Sequence, residues 1–249
     1  MPTLLAMAPA HFDRYVEPFA GSACLFFSLT PKKALLADIN KELIDCYLEL
    51  RDNVEALITH LGKMRISKSR YYALRSLDPA KLPNLDRAAR FIYLNRLCFN
   101  GLYRTNRQGR FNVPFGGGRC GALPSPERLR DCSLALKRAQ IRATTFEKTL
   151  SKVKSGDFVY LDPPYCIASR RVFNEYSNAS FDQEQVRTLR RSLDELNKKG
   201  VPFLVSYGFS QEAQFLGKGF NVRHTLVQRQ IAGFTASRKK ARELVITNY

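Results

Sequence analysis

Four apolar stretches constrain this chain more than any other feature: Arg14–Pro18, Ala34–Asp38, Asp157–Asp162 and Val201–Tyr207. Each is short, apolar at its centre and closed by a polar or Gly/Pro-rich turn, as strands covered on both faces are. Helical periodicity follows at least two of them. Leu43–Leu50 carries apolar residues at helical spacing, and Phe181–Lys199 does so behind Asp182 and Gln185, the spacing of a capping box. Strand–turn–helix repetition predicts an α/β sheet with helices on both faces. Ligands of such sheets bind beyond the carboxyl ends of the strands, where the turns lie.

The rhythm breaks between Asn53 and Arg130. Val54–Met64, Lys68–Leu77 and Asp86–Leu97 read as helices, and the chain then turns rich in Gly, Asn and Arg. From Arg96 to Arg130 there are seven arginines (96, 104, 107, 110, 119, 128 and 130) against one acid, Glu127. Gly109 separates two β-compatible runs, Leu102–Thr105 and Arg110–Phe115, which predicts a hairpin. A basic hairpin on a helical insert has the shape and charge to enter a DNA groove. The expected organisation is one domain built from residues 1–52 and 136–249, with residues 53–135 inserted.

Charge points to the same kind of partner. Lys and Arg number 40 against 22 Asp and Glu, a net +18 on 249 residues. Such an excess repels itself in the folded state, and a polyanion is the usual reason to carry it. No basic amphipathic helix with an aromatic face suggests a membrane surface, no apolar run approaches the ~20 residues of a span, and no signal peptide is expected. Nucleic acid is favoured. The six cysteines are scattered without a CxxC pair, and His11, His60 and His224 lie far from them. Zinc spacing is absent, no metal is expected, and the thiols read as small buried hydrophobes in a reducing cytoplasm.

The sharpest motif is Asp162-Pro163-Pro164-Tyr165, directly after the apolar Phe158–Leu161. Consecutive prolines have no N–H, so the carbonyls here stay free and stiffly placed. Asp162 adds a carboxylate acceptor and Tyr165 a flat ring. Together they suit a planar ring with an exocyclic amine: two acceptors would draw the nitrogen lone pair out of conjugation and make it nucleophilic. A second motif, Glu17-Pro18-Phe19-Ala20-Gly21-Ser22-Ala23, is a small turn between strand and helix that lets backbone approach a ligand. Ala37-Asp38-Ile39-Asn40 then puts an acid at the end of the next strand, where nucleoside-binding α/β folds hold ribose hydroxyls.

In this order the motifs resemble the Dam-type (D12 class, alpha group) DNA adenine-N6 methyltransferases, which use S-adenosylmethionine. The residues carrying the resemblance are Val16–Gly21, Ala37–Asn40, Asn95–Asn106, Gly109–Gly116 and Asp162–Tyr165, and the closing Arg238…Glu243–Tyr249 is similar to the family's last strand. The resemblance implies a Rossmann-like methyltransferase sheet with a target-recognition insert, acting on a flipped adenine in duplex DNA. It implies Glu17, Phe19, Gly21, Ser22, Asp38 and Ile39 lining the cofactor pocket, with Phe146 against the cofactor adenine, although Phe146 reads equally well as core. Asp162 would face both cofactor and target amine, with Pro163, Pro164 and Tyr165 completing the catalytic tetrapeptide. Arg96, Asn100, Arg104, Asn106, Arg110, Asn112, Arg119 and Arg128 fall in the DNA-contacting stretch. A monomer in a bacterial or phage cytoplasm, associated with the nucleoid, is implied. A cognate restriction enzyme is left open.

Two departures stand out. The family's opening Lys-Trp-x-Gly-x-Lys-like segment has no match before Tyr15, so either the start is truncated or Met1–Asp13 supplies a substitute. Thr105 occupies the place where members that methylate GATC often carry an aromatic, which leaves a GATC-like target as one option. Two other functions fit parts of the pattern. An RNA or protein amine methyltransferase shares the tetrapeptide but generally lacks the Arg/Asn-rich insert, and a decayed, non-catalytic DNA-binding scaffold is at odds with an intact Asp162–Tyr165.

Overall fold

The computed structural model describes residues 2–106, 108–164, 181–228 and 240–249. Within them runs one seven-stranded sheet in the order β3-β2-β1-β4-β5-β7-β6. Its strands are β1 (Arg14–Glu17), β2 (Ala34–Asp38), β3 (Ala139–Ala143), β4 (Asp157–Leu161), β5 (Phe203–Gly208), β6 (Asn221–Gln228) and β7 (Lys240–Thr247). The first five pair in parallel, and β7 and β6 close the sheet as antiparallel neighbours. The four apolar stretches expected as strands are β1, β2, β4 and β5, adjacent to one another in the interior of the sheet.

Ten helices accompany the sheet among the described residues: α1 (Pro2–Met7), α2 (Cys24–Leu29), α3 (Lys41–Asp52), α4 (Val54–Gly62), α5 (Lys68–Ser76), α6 (Asn84–Leu97), α7 (Pro126–Leu136), α8 (Phe146–Leu150), α9 (Gln183–Lys198) and α10 (Gln211–Gly217). None is long and apolar enough to cross a membrane. The Asp182/Gln185 capping box forms at the start of α9, each side chain bonding the other's backbone N–H.

Alternation along the strands divides two cores. Tyr15, Leu36, Phe158, Tyr160, Leu204 and Val245 face one, with Phe26 of α2, Ile44 of α3 and Leu57, Tyr71, Leu94 and Leu129 from α4–α7. Val16, Leu35, Val159, Leu161, Val205 and Ile246 face the other, with Phe146, Leu189, Leu193 and Leu216 from α8–α10. Period-2 alternation with both faces apolar explains the near-continuous hydrophobic strands. The helices of residues 53–135 thus share one continuous core with a face of the sheet.

The expected hairpin is an antiparallel loop rather than a ladder. Thr105 bridges Phe111 and Cys98 bridges Phe115, while Asn112 N donates to the Arg104 carbonyl at 3.0 Å. Left-handed Asn100 and Gly101 bend the outgoing arm, and Pro114 has no N–H to offer, so regular pairing does not propagate. Edge strands β3 and β6 had no counterpart among the expected strands. Gln140 and Arg142 are exposed on β3, as are Asn221, Arg223 and His224 on β6. Polar residues of this kind blunt a sheet edge and erase the apolar signal that betrays a strand.

The cysteine reading holds in part. Cys46 and Cys98 are buried, Cys120 and Cys132 half-buried, and Cys24 is exposed at the start of α2; Cys166 lies outside the described residues. Cys24 is exposed because the turn before α2 stands open at the sheet's carboxyl edge.

Candidate active site

The order of the parallel strands reverses between β1, which leads outward to β2 and β3 on one side, and β4, which leads to β5 on the other. A crevice opens at such a switch point beyond the carboxyl ends of the strands. Glu17 ends β1, Asp38 ends β2, and Asp162 follows β4. Three carboxyl groups therefore converge on one edge.

Asp38 is the most firmly held. Its Oδ2 accepts from Gly21 N at 2.9 Å and its Oδ1 from Asn40 N at 2.8 Å. The turn between β1 and α2 is tied to β2 by Ala20 N donating to the Ala37 carbonyl at 2.9 Å. Gly21 is left-handed, with φ +46°, and so is Ala23, with φ 48°. A non-glycine residue there is strained and persists only where its surroundings enforce it. One enforcing contact comes from Tyr47 of α3, whose hydroxyl donates to the Gly21 carbonyl at 2.6 Å. Sequence reasoning missed Tyr47, since nothing local marks a tyrosine 26 residues from its partner. Beside Asp38, Ile39 is 62% exposed, an apolar surface lying next to a carboxylate. Ser22 is exposed on the same turn, its Oγ 3.1 Å from Cys24 Sγ.

Glu17 is buried, and its Oε2 accepts from the Tyr15 hydroxyl at 2.9 Å. Burial, and then the charges of Asp162 and Asp38, push its pKa well above the usual carboxylate range, against the opposing Tyr15 hydrogen bond. Asp162 is pushed up to about 6, first by the protein packed around its carboxyl and second by Glu243 of β7. It nevertheless keeps accessible surface, as a carboxyl can when walled by protein and open to solvent on one side. Glu243 faces Gly208 across the β5–β7 pairing, an acidic neighbour that had appeared only within the closing strand. Pro163 is buried and Pro164 exposed, while Tyr165 lies outside the described residues.

Phe19 stacks on Phe146 with centroids 5.2 Å apart, and Phe181 meets Phe19 edge-on at 5.9 Å. Phe146 itself is buried in the second core. The opening segment sits elsewhere. Tyr249 Oη donates to the Met7 carbonyl at 2.7 Å, next to Thr247, which pairs with Leu204 near the start of β5. Residues 2–13 thus lie toward the amino edge of the parallel strands, away from Asp38.

Along the basic stretch, several side chains expected to contact DNA are engaged within the chain. Arg96 Nε donates to the Ala122 carbonyl at 2.8 Å, and Arg104 Nε donates to Asn112 Oδ1 at 2.8 Å across the hairpin. Asn106 Oδ1 accepts from Gln108 N and Arg110 N, both at 3.0 Å, and so shapes the tip. Asn100 is left-handed with φ 55° at the entry to the hairpin. Arg110 and Arg128 are exposed, one at the tip and one on α7. Arg119 lies in the short helical turn Gly117–Arg119. Arg130 pairs with Glu55 of α4 at 2.7 Å.

A family model described as D12 class N6 adenine-specific DNA methyltransferase matches residues 1–231. The Type II methyltransferase M1.LlaDCHI of Lactococcus lactis subsp. cremoris is 36% identical over 258 residues, covering 100% of this chain and 91% of the relative. The Type II methyltransferase M.MjaIII of Methanocaldococcus jannaschii is 34% identical, covering 96% of this chain and 89% of its own. The Retron Ec67 DNA adenine methylase of Escherichia coli is 30% identical, covering 93% and 81%. An α/β sheet with acids gathered at its switch point, a model matched over residues 1–231 and relatives aligned along nearly the whole length place this enzyme in one family: the chain belongs to the D12 class of N6 adenine-specific DNA methyltransferases.

Proposed function

We propose that the enzyme transfers a methyl group from S-adenosylmethionine to N6 of an adenine flipped out of duplex DNA, with residues 53–135 as the target-recognition insert. The observation that carries this reading is the pairing, at one switch point, of an oriented Asp38 with an Asp162 followed by two prolines. The donor set suits the cofactor. Asp38 is held to accept ribose hydroxyls, Ile39 offers apolar surface, Gly21 allows close approach, and the acidic edge complements a cation. When bound, S-adenosylmethionine supplies an electrophilic methyl group.

The chain's own part is to hold and deprotonate the amine. Asp162 and the Pro163 carbonyl accept its two hydrogens, drawing the lone pair toward nucleophilicity. Tyr165 provides the ring on which the adenine stacks, a contact worth about 1–3 kcal/mol. An adenine amine inside the stack cannot reach a strand-end crevice, so the nucleotide must swing out. With a pKa of about 6, Asp162 is ionised at neutral pH yet basic enough to take the proton the methylated nitrogen sheds. Glu17 lies buried behind it, its carboxyl pushed up by burial and held by the Tyr15 hydroxyl.

The test is to incubate the purified protein and S-adenosylmethionine with DNA from a methylation-free host and read N6-methyladenine with its flanking bases. Methylation at one recurring sequence is expected, and the flanks decide whether it is GATC-like. Unmodified adenine at saturating cofactor would overturn the reading. Turnover should rise with pH and level off above about 6, because protonating Asp162 removes the acceptor. Below that value it should fall about tenfold per pH unit. Single-turnover rates from pH 5 to 8 check this, and a flat profile contradicts it.

Within the insert we assign base reading to the hairpin tip and phosphate contact to α7. About half to two-thirds of protein–DNA hydrogen bonds go to the backbone, so the arginines cannot all read sequence. Arg110→Ala should relax sequence preference by about 1–3 kcal/mol. Arg128→Ala should weaken binding evenly and flatten the salt dependence by about one unit. Rates on cognate and single-mismatch duplexes at several salt concentrations separate the two. Full discrimination by the Arg110 variant would remove the tip from the reading role.

A further inference from the structure

We propose that the amino edge of the sheet is a second DNA-binding surface, which takes the phosphate backbone of a duplex segment other than the one being methylated. It goes beyond the reading above, which puts the methylated duplex on the insert and the carboxyl edge.

The turns that lead into the parallel strands carry the charge. Lys32 and Lys33 precede β2, Lys137 and Arg138 precede β3, and Lys152 and Lys154 precede β4; all six are exposed. Hydrogen bonds lay these turns side by side. Ala34 N donates to the Arg138 carbonyl at 3.1 Å, Tyr15 N to the Lys33 carbonyl at 3.0 Å, and Arg14 Nη2 to the Lys152 carbonyl at 3.1 Å. Exposed Lys198 and Lys199 extend the row ahead of β5, the neighbour of β4. Four strand spacings separate β3 from β5 in the sheet order, about 19 Å. That length is on the order of half a turn of duplex.

The acids along this edge do not match the row. Asp157 is buried against Arg14, and Asp52 is paired with Arg51 at 2.7 Å, which leaves Asp13 and Glu195 exposed. Outside residues 53–135 the chain carries 25 Lys and Arg against 17 Asp and Glu, so the insert does not hold the whole positive excess. Helix dipoles do not explain the placement either. A dipole draws cations into the last turn of its helix, and Lys32, Lys33 and Lys154 lie beyond the ends of α2 and α8. Residues 30–33, 137–138, 151–156 and 198–202 contain no aromatic to insert into a bilayer, which favours phosphates of nucleic acid over those of lipid.

The two surfaces stand at opposite ends of the strands. Asp162 follows the last residue of β4, and the five residues of that strand span about 16 Å. Duplex DNA stays stiff over about 150 base pairs, so a short duplex on the carboxyl edge cannot turn back onto the amino edge. A second segment is required. Holding it would let the enzyme pass between segments without first returning to solution.

The test loads the protein with sinefungin, an unreactive cofactor analogue, and a 14-base-pair duplex carrying the sequence mapped by methylation, with about 14 base pairs chosen as too short to reach both edges. A second 14-base-pair duplex of unrelated sequence and different colour is then added, and sedimentation velocity at about 50 mM salt reads the mass of the complex. The wild type should form a species of one chain with two duplexes. Lys33→Gln, Arg138→Gln, Lys152→Gln and Lys154→Gln combined should weaken the second duplex at least about tenfold and lower its salt slope by about 3–4 units. The same variant should methylate the first duplex within about twofold of the wild-type rate, which shows its fold and catalytic site intact. Arg128→Ala, expected to weaken the first duplex, should leave the second unchanged. A wild type that stops at one duplex overturns the proposal, as does a quadruple variant that keeps the second. Phosphatidylserine vesicles bound through the same four residues, with no second duplex bound, would also overturn it by giving the edge to a membrane. Failure of the wild type to bind or methylate the first duplex would instead bring down the functional reading above.

Discussion

Asp162→Ala is expected to lose about 2–4 kcal/mol of transition-state stabilisation, about 30- to 1,000-fold in single-turnover rate. Two preorganised acceptors hold the amine in the proposed chemistry, and this variant deletes the charged one while leaving the Pro163 carbonyl. Stability should move the other way. A carboxyl whose folded pKa lies above its unfolded value of 3.8 contributes most below that value and loses its contribution as pH rises through about 6. Above pH 6 the ionised Asp162 therefore burdens the fold, and Asp162→Asn should melt at or above the wild-type temperature. Below about pH 4 the two should melt together. A rate loss joined to unchanged or raised melting at pH 8 marks a residue kept for chemistry. Near-normal turnover by Asp162→Ala would end its assignment.

Arg14→Ala should cost stability rather than chemistry. Asp157 is fully buried, and Arg14 reaches it from the neighbouring strand with Nε donating to Oδ1 at 2.9 Å and a second contact to Oδ2 at 2.5 Å. The pair clamps β1 to β4 at the amino edge, below the crevice where those strands diverge. Removing one partner of a buried pair strands the other charge, which typically costs about 3–5 kcal/mol. We expect about 3 kcal/mol, because Arg14 keeps some solvent contact and Lys154 N still donates to Asp157 at 2.9 Å. For a chain of this length that lowers the melting temperature by about 6–12 °C. Arg14→Met with Asp157→Asn should recover part of the loss, since no unpaired charge then remains. A melting curve unchanged in Arg14→Ala would show that the clamp is dispensable.

The central strands and the order of the motifs were legible because their causes are local. Val16, Leu35, Val159 and Val205 sit in strands buried on both faces, and such strands must be apolar wherever the rest of the chain goes. Asp162-Pro163-Pro164-Tyr165 and the Gly21 turn were legible because proline and glycine restrict or release the backbone at their own positions. Edge strands β3 and β6 were not, because Gln140 and Arg142 in one and Asn221, Arg223 and His224 in the other interrupt the continuous apolar run that marks a strand buried on both faces.

Residue type alone put Arg96, Arg104, Asn106 and Asn112 in one class with Arg110. The folded chain separates them: the first four bond within the insert, and Arg110 stands exposed at its tip. Tyr47 on Gly21 and Glu243 beside Asp162 belong wholly to the tertiary structure. The sequence by itself determined an α/β sheet, its family and the acids at its strand ends, since apolar period and backbone restriction act within a few residues. Tertiary structure alone decided which side chains orient those acids and raise the pKa of Asp162, because hydrogen bonds and burial depend on partners that folding brings from tens of residues away.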